Sequence, residues 1–251
     1  MTDLVDEFKK RPFSEHLFEL LGRLKRIIIF FVIAFGLSTS VSNYLIDVIK
    51  KPLEWLKLST PGIPQPQIIS TIPFENFWTF MRVSMVGAGF LMIPILAWEI
   101  GGFLSPGLRK IEKKRLAWLV FSFLIVFVVG ILLGHRYVLP TVLKLILEFG
   151  MDSSSPHWTL SAYVNTSLGV LLVTAIILEL PLVMLYSSFW GWVDPKTWSK
   201  GRKAALVINS IVSAILSPPD VMSMLIMMIP IQILYESGVW LATLAKWKTK
   251  K

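Results

Sequence analysis

Long uncharged runs alternate with short basic segments along this chain, and the alternation predicts its elements. From Ile27 to Ile46 no charged residue occurs. As a helix rising about 1.5 Å per residue, that is enough to cross a hydrocarbon core of about 30 Å. Asp47, Val48 and Ile49 extend the helix beyond this run, giving a first span at 27–49. A second run, 75–100, holds Arg82 inside and Pro94 as a kink. The third, 116–134, is uncharged, and the fourth, 163–188, contains Glu179 and Pro181. The last two, 204–216 and 221–244, are parted only by Ser217, Pro218, Pro219 and Asp220. The fifth is short for a bilayer, which implies local thinning or shelter by neighbours. Ahead of the first span, Phe13, Leu17, Leu20, Leu21 and Leu24 recur at helical spacing after Pro12 and Ser14. That lead predicts an amphipathic N-terminal helix lying in the interface. The expected fold class is an all-α integral membrane protein: a single membrane domain over residues 1–251 with six transmembrane helices.

Composition fits this reading. Charged residues are 16% of the 251, against about 25% in soluble domains. The net charge of +9 is distributed in groups. Lys9, Lys10, Arg11, Arg23, Lys25 and Arg26 precede the first span, and Arg109, Lys110, Lys113, Lys114 and Arg115 follow the second. Lys196, Lys200, Arg202 and Lys203 follow the fourth, and Lys246, Lys248, Lys250 and Lys251 end the chain. Basic residues collect on the cytoplasmic side, so both termini are expected there. The proline-rich segment 50–73 and the segment 135–157 are then outer. Basic groups separated by apolar spans argue against nucleic acid. The lead is no secretory signal peptide, because no small-residue cleavage pattern follows its apolar run. With no cysteine, disulfides and thiolate chemistry are excluded.

Two lone acids sit among the cytoplasmic bases. Glu112 is the only acid in FLSPGLRKIEKKR (103–115), and Glu19 stands in HLFELLGRL (16–24) with Arg23 four residues on. Glu19 and Arg23 can form an ordinary helical pair of about 0.2–0.5 kcal/mol, and Glu112 can be a solvated acid. Alternatively, the two carboxylates can each accept a guanidinium fork. Charge-assisted hydrogen bonds of about 1.5–3 kcal/mol each would then favour arginine over lysine. Glu179 lies inside a span, which marks a functional site by default; the structural alternative is an acid paired with Arg82 or bonded to Thr174 or Tyr186. Arg82 and Glu236 are near enough to span ends to snorkel, and Asp220 can cap the helix after it. His16 is expected inside and His135 and His157 outside. No HExxH, G-x-S-x-G or GxxxxGK[ST] pattern occurs. The chain reads as neither an enzyme nor a cofactor or metal protein. A proton- or ion-coupled secondary transporter using Glu179 is the rival reading, although no internal repeat is visible.

Five segments in order resemble the TatC family, the multispanning subunit of the twin-arginine protein translocase. FSEHLFELLGRL (13–24) is similar to its HLxELRxRL motif, and IPFENFWTFMRVS (72–84) to its PxExF segment. FLSPGLRKIEKKR is similar to its first cytoplasmic loop. Glu179-Leu180-Pro181 falls at its intramembrane polar position, and 216–236 resembles the segment joining its last spans. The resemblance implies a receptor that binds twin-arginine signal peptides of folded cargo. Glu19 and Glu112 would be its carboxylates, with His16 and Arg23 beside them. It also implies that Glu179 lies where the apolar part of the signal peptide inserts. Ser217, Pro218, Asp220 and Met224 would form the contact region for small single-span TatA-type and TatB-type subunits. The implied setting is a homo-oligomeric complex in the cytoplasmic (inner) membrane of a prokaryote, driven by the proton-motive force. Leu21 stands where the family motif has arginine, Met224 where glutamine is common, and Arg82 where lysine is usual.

Overall fold

Helices make up nearly all of the computed structural model, which describes residues 13–59, 66–104, 110–149, 157–217 and 220–249. Within these ranges the side chains at 13–16, 59, 103–104, 110–112, 149 and 246–249 lie outside the description. In chain order the elements are α1 (Phe13–Ser59), β1 (Gln67–Ile69), α2 (Glu75–Leu104) and α3 (Lys110–Leu133). A π-helical turn (Gly134–Val138) leads into α4 (Leu139–Phe149). Then come β2 (His157–Thr159), α5 (Leu160–Phe189), α6 (Pro195–Lys200), α7 (Arg202–Leu216) and α8 (Val221–Thr249). The chain divides into two units, Met1–Tyr44 with Phe80–Val120, and Leu45–Thr79 with Phe121–Lys251.

α1 corrects the expectation at the amino terminus. No proline lies between Phe13 and Lys51, so nothing stops the helix once it starts. Gly22 and Gly36 cost about 1 kcal/mol each relative to alanine, too little to break it. The separate interfacial helix is instead the first turns of a single 47-residue element. α1 also runs on past Lys50, where a loop was expected, with Pro52 inside it. A proline at 52 has no N–H for the carbonyl of Val48 four residues back. His135 supplies the missing partner, its Nε2 lying 2.8 Å from that oxygen. The neighbouring Ile49 carbonyl accepts the Tyr163 hydroxyl at 2.7 Å. Trp55 then meets the edge of the His135 ring at 5.4 Å and the Arg136 guanidinium at 4.6 Å. Both partners come from the π-helical turn, a feature that accumulates at functional and strained positions.

The first unit packs α1 on α2. Ala34, Ala88 and Met92 are buried, and Phe31, Phe35, Ile95 and Leu96 close over them. The hydroxyls of Ser42 and Ser84 sit 2.5 Å apart between the helices, a contact that small residues permit.

In the second unit α5 lies along α8, and α7 packs on α8. Met184, Ala205, Tyr235, Val239 and Ala242 form a core against Trp198. The Tyr235 hydroxyl donates to the Trp198 carbonyl at 2.7 Å. Asn209 donates its side-chain amide to Gln232 at 2.8 Å, joining α7 to α8. The short strands, unforeseen in an all-α reading, pair in parallel with Gln67 opposite His157. Glu75 fastens them: its carboxylate accepts the backbone N–H groups of Thr71 and Ser161, both at 2.9 Å.

Apolar side chains face outward throughout. Val32 and Leu37 on α1, Ile208 and Ile215 on α7, and Ile233 and Trp240 on α8 are all exposed. On a water-soluble protein such surfaces would be aggregation sites; in a bilayer they face their solvent. Among the described residues, four helical windows are long and apolar enough to cross a membrane: Glu75–Gly102, Lys113–Glu148, Leu160–Phe189 and Val221–Ala245. The protein is thus an all-α, multi-span membrane protein with one small strand pair among its described residues.

Close approach of α3 to α5 depends on Gly130, where an added Cβ would lie 2.7 Å from the Ala175 Cα. Gly130→Ala should therefore force the helices apart and cost about 1–3 kcal/mol, as overpacking does. A lower thermal midpoint of the purified protein in detergent is the expected result, and an unchanged midpoint would show that the contact yields without cost.

Candidate functional site

The most concentrated charge in the described first unit lies where α1 and α2 meet, and it is built from residues far apart in sequence. Four residues make about one helical turn, so Glu19 and Arg23 share a face of α1. Arg23 donates from Nε and Nη2 to the same Glu19 oxygen, at 3.2 and 2.8 Å. Its third nitrogen, Nη1, turns to the end of α2. There it meets both the backbone carbonyl and the carboxylate of Glu99, each at 3.1 Å. Arg26, one turn further along α1, adds a 3.2 Å contact to the same Glu99 oxygen.

Burial differs sharply within this cluster. The side chain of Glu99 is 7% exposed, Arg23 16%, Glu19 28% and Arg26 55%. Two guanidinium groups offset the hydration that a carboxylate as enclosed as Glu99 loses. The hydrogen bonds to Glu19 and Glu99 hold the Arg23 guanidinium above its ordinary pKa, Glu19 being the larger cause. Gly102 completes the seat: a Cβ there would lie 2.7 Å from the Arg23 Nη1. Two acids and two bases balance, so the cluster is formally neutral.

Sequence spacing finds the Glu19–Arg23 pair but misses Glu99. A lone acid next to Trp98 at the end of an apolar run was the available signal. Glu112 falls in the first turn of α3, followed by the exposed Lys113, Lys114 and Arg115. The side chains of Glu112 and His16 lie outside the described residues, so the structure places only their helices.

Glu179 sits in α5, and both of its carboxylate oxygens are buried without a hydrogen-bond partner among the described residues. Two of its expected partners are occupied elsewhere: Thr174 donates to the Val170 carbonyl, and the Tyr186 hydroxyl pairs with Ser122. Glu236 does not snorkel freely but forms a fork with Arg202 at 2.9–3.1 Å. Near the α7–α8 turn, an apolar cavity of about 350 Å³ is lined by Leu133, Tyr137, Thr174, Leu216, Met227 and Pro230 among others. Ser217 ends α7 by donating its N–H to the Ser213 carbonyl. Asp220 starts α8 by accepting the Ser223 N–H at 2.8 Å. Met224 is half-buried one turn on, and Pro218 lies outside the described residues. Among the described residues no group of three His, Cys, Asp or Glu side chains is placed to hold a metal.

Comparison with known proteins follows the same outline. The family model described as Sec-independent protein translocase protein (TatC) matches residues 15–230. A TatC of Desulforapulum autotrophicum is 32% identical over 93% of this chain and 84% of its own length. The TatC of Rickettsia prowazekii is 34% identical over 92% of each chain. A crystal structure of the twin-arginine translocase receptor TatC superposes with a TM-score of 0.72 at 27% identity. That superposition covers 92% of this chain and 99% of the crystallised one.

Hydrogen bonds from the Ser223 side chain and backbone hold the Asp220 carboxyl below its ordinary value of 3.8. A depressed folded pKa means the cap contributes stability above the unfolded value and loses it as the pH falls through the folded one. Asp220→Ala should therefore unfold at a lower temperature than the parent at pH 7. The gap should narrow as the pH drops below about 4. A gap independent of pH would remove the carboxylate from the account.

Proposed function

The chain belongs to the TatC family, and on that footing we propose that it is the receptor subunit of a twin-arginine translocase. It binds the paired arginines of signal peptides at its cytoplasmic face. The observation that carries this reading is the seat of Arg23: Glu19 already accepts two donors of a guanidinium fork, the chemistry an incoming arginine would present. A lysine ammonium has the charge but not the planar fork. Glu112, at the start of α3 and beside exposed bases, supplies the second carboxylate, with His16 on the same helix as Glu19.

The membrane topology belongs to the same proposal. The twenty uncharged residues 27–46 in α1 and the 15 residues of α7 join 75–100, 116–134, 163–188 and 221–244 as spans. That makes six, with both termini cytoplasmic as the basic residues direct. α4 and the strand pair then lie on the outer side. The chain is a binding scaffold that carries out no reaction. Its partners are small single-span TatA-type and TatB-type subunits, which meet the region of Ser217, Pro218, Asp220 and Met224, and further copies of itself. Glu179 offers a polar contact at depth under the apolar part of the peptide.

Two measurements test the reading. Binding of a labelled twin-arginine peptide to the full chain in nanodiscs should weaken about tenfold or more in Glu19→Ala and in Glu112→Ala, the loss expected for one charge-assisted contact. A twin-lysine peptide should bind weakly to all three proteins. Equal binding of both peptides, unmoved by either substitution, would reduce the two acids to surface charges. Separately, Glu179→Gln should leave the preference for twin arginine over twin lysine within about twofold of the parent's, because in this reading Glu179 accepts no peptide guanidinium. Export through the reconstituted complex should stay sensitive to Glu19. Loss of export at Glu179 with indifference to Glu19 would favour the secondary-transporter reading.

A further inference from the structure

Glu19 is engaged in this structure by an arginine of the chain itself, which takes one of its oxygens with two donors, so a peptide arginine that forks across both oxygens displaces Arg23. The arrangement shows where Arg23 can go. Its Nη1 already rests on Glu99, whose carboxylate is nearly enclosed, and Gly102 leaves room for the guanidinium at that end. We propose that Glu99 is a positioning residue for peptide recognition: it retains Arg23 when an incoming arginine takes Glu19. This rests on the receptor reading above and adds a third carboxylate to it.

Charge accounting supports the exchange. The resting cluster is neutral, with Glu19 and Glu99 against Arg23 and Arg26. When a peptide guanidinium reaches Glu19, one more positive charge enters. Arg23 cannot simply move off into apolar surroundings, since a partly buried cation without an acid is strongly disfavoured. Glu99 prevents this, because Arg23 shifts its remaining donors onto a carboxylate it already touches. Arg26 also leans on Glu99, but its side chain is 55% exposed and can turn into water or among lipid headgroups. The buried base is kept and the exposed one is released. Glu99 thereby lowers the cost of replacing the internal arginine without contacting the peptide.

The test uses the full chain in nanodiscs and a labelled twin-arginine peptide, with thermal midpoints recorded for every variant. Glu99→Gln keeps the shape of the side chain but removes the retaining charge. Arg23 then holds Glu19 more firmly, and peptide affinity should fall about tenfold, the equivalent of one charge-assisted contact. Glu99→Asp should keep most of the parent affinity. Gly102→Ala, which crowds Arg23 at the Glu99 end, should weaken binding in the same direction as Glu99→Gln.

The deciding variant removes the internal competitor. Arg23→Gln should bind the peptide at least as tightly as the parent, and Arg23→Gln with Glu99→Gln should match Arg23→Gln alone. A purely structural role for Glu99 predicts the opposite: a lowered midpoint in Glu99→Gln and an affinity loss that persists in the double variant. That result would overturn the proposal, as would Glu99→Gln binding within about twofold of the parent. If the parent itself fails to distinguish arginine from lysine and Glu19→Gln binds normally, the receptor reading falls, and this inference with it. Failure at Glu99 alone, with Glu19 still required, rejects only the retaining role.

Discussion

In a hydrocarbon medium every backbone N–H and C=O must find its partner within the protein, and that demand shapes the helices described above. It favours long unbroken helices and makes each proline a problem requiring a specific answer. At Pro52 the answer comes from elsewhere in the chain. His135 and Tyr163 pair with the Val48 and Ile49 carbonyls, and Trp55 is held between the His135 ring and Arg136. The π-helical turn that carries His135 and Arg136 is thus explained by what it satisfies.

Charge obeys the same rule with a larger penalty. The cluster around Arg23 lies at the edge of the apolar region and contains no unmatched ion: the most enclosed acid has two guanidinium partners, and the most exposed base has the most freedom. Glu179 is the contrast. Its oxygens are enclosed without a partner among the described residues, an arrangement that a structural role would not select, since a buried polar group left unpaired costs free energy.

The fold was legible to the extent that it is local. Uncharged runs of about twenty residues announce spans regardless of the tertiary context, and the i,i+4 spacing announces Glu19 and Arg23. What the sequence concealed depends on partners far along the chain. Lys50, Lys51 and Pro52 carry the marks of a loop, and the helix there draws on His135, 87 residues beyond Val48. Glu99 resembles any acid at the end of a span until Arg23, 76 residues earlier, is brought against it. The three-residue strands are too short for any periodicity to declare. Glu112 stands out by its solitary acidity within a basic segment, and the structure places it in the first turn of α3.

The amide pair between Asn209 and Gln232 bears on how the last two long helices find each other. Apolar faces in lipid slide past one another almost without preference, because leucine against leucine resembles leucine against an acyl chain. Two matched amides end that indifference. Slipping α7 along α8 by a single residue would strand both groups in a medium that offers neither donor nor acceptor. A hydrogen bond of modest strength, about 0.6 kcal/mol on average inside membranes, thereby acts as a key cut for one lock. It contributes little to holding the hairpin shut, and it decides which of many similar hairpins is made.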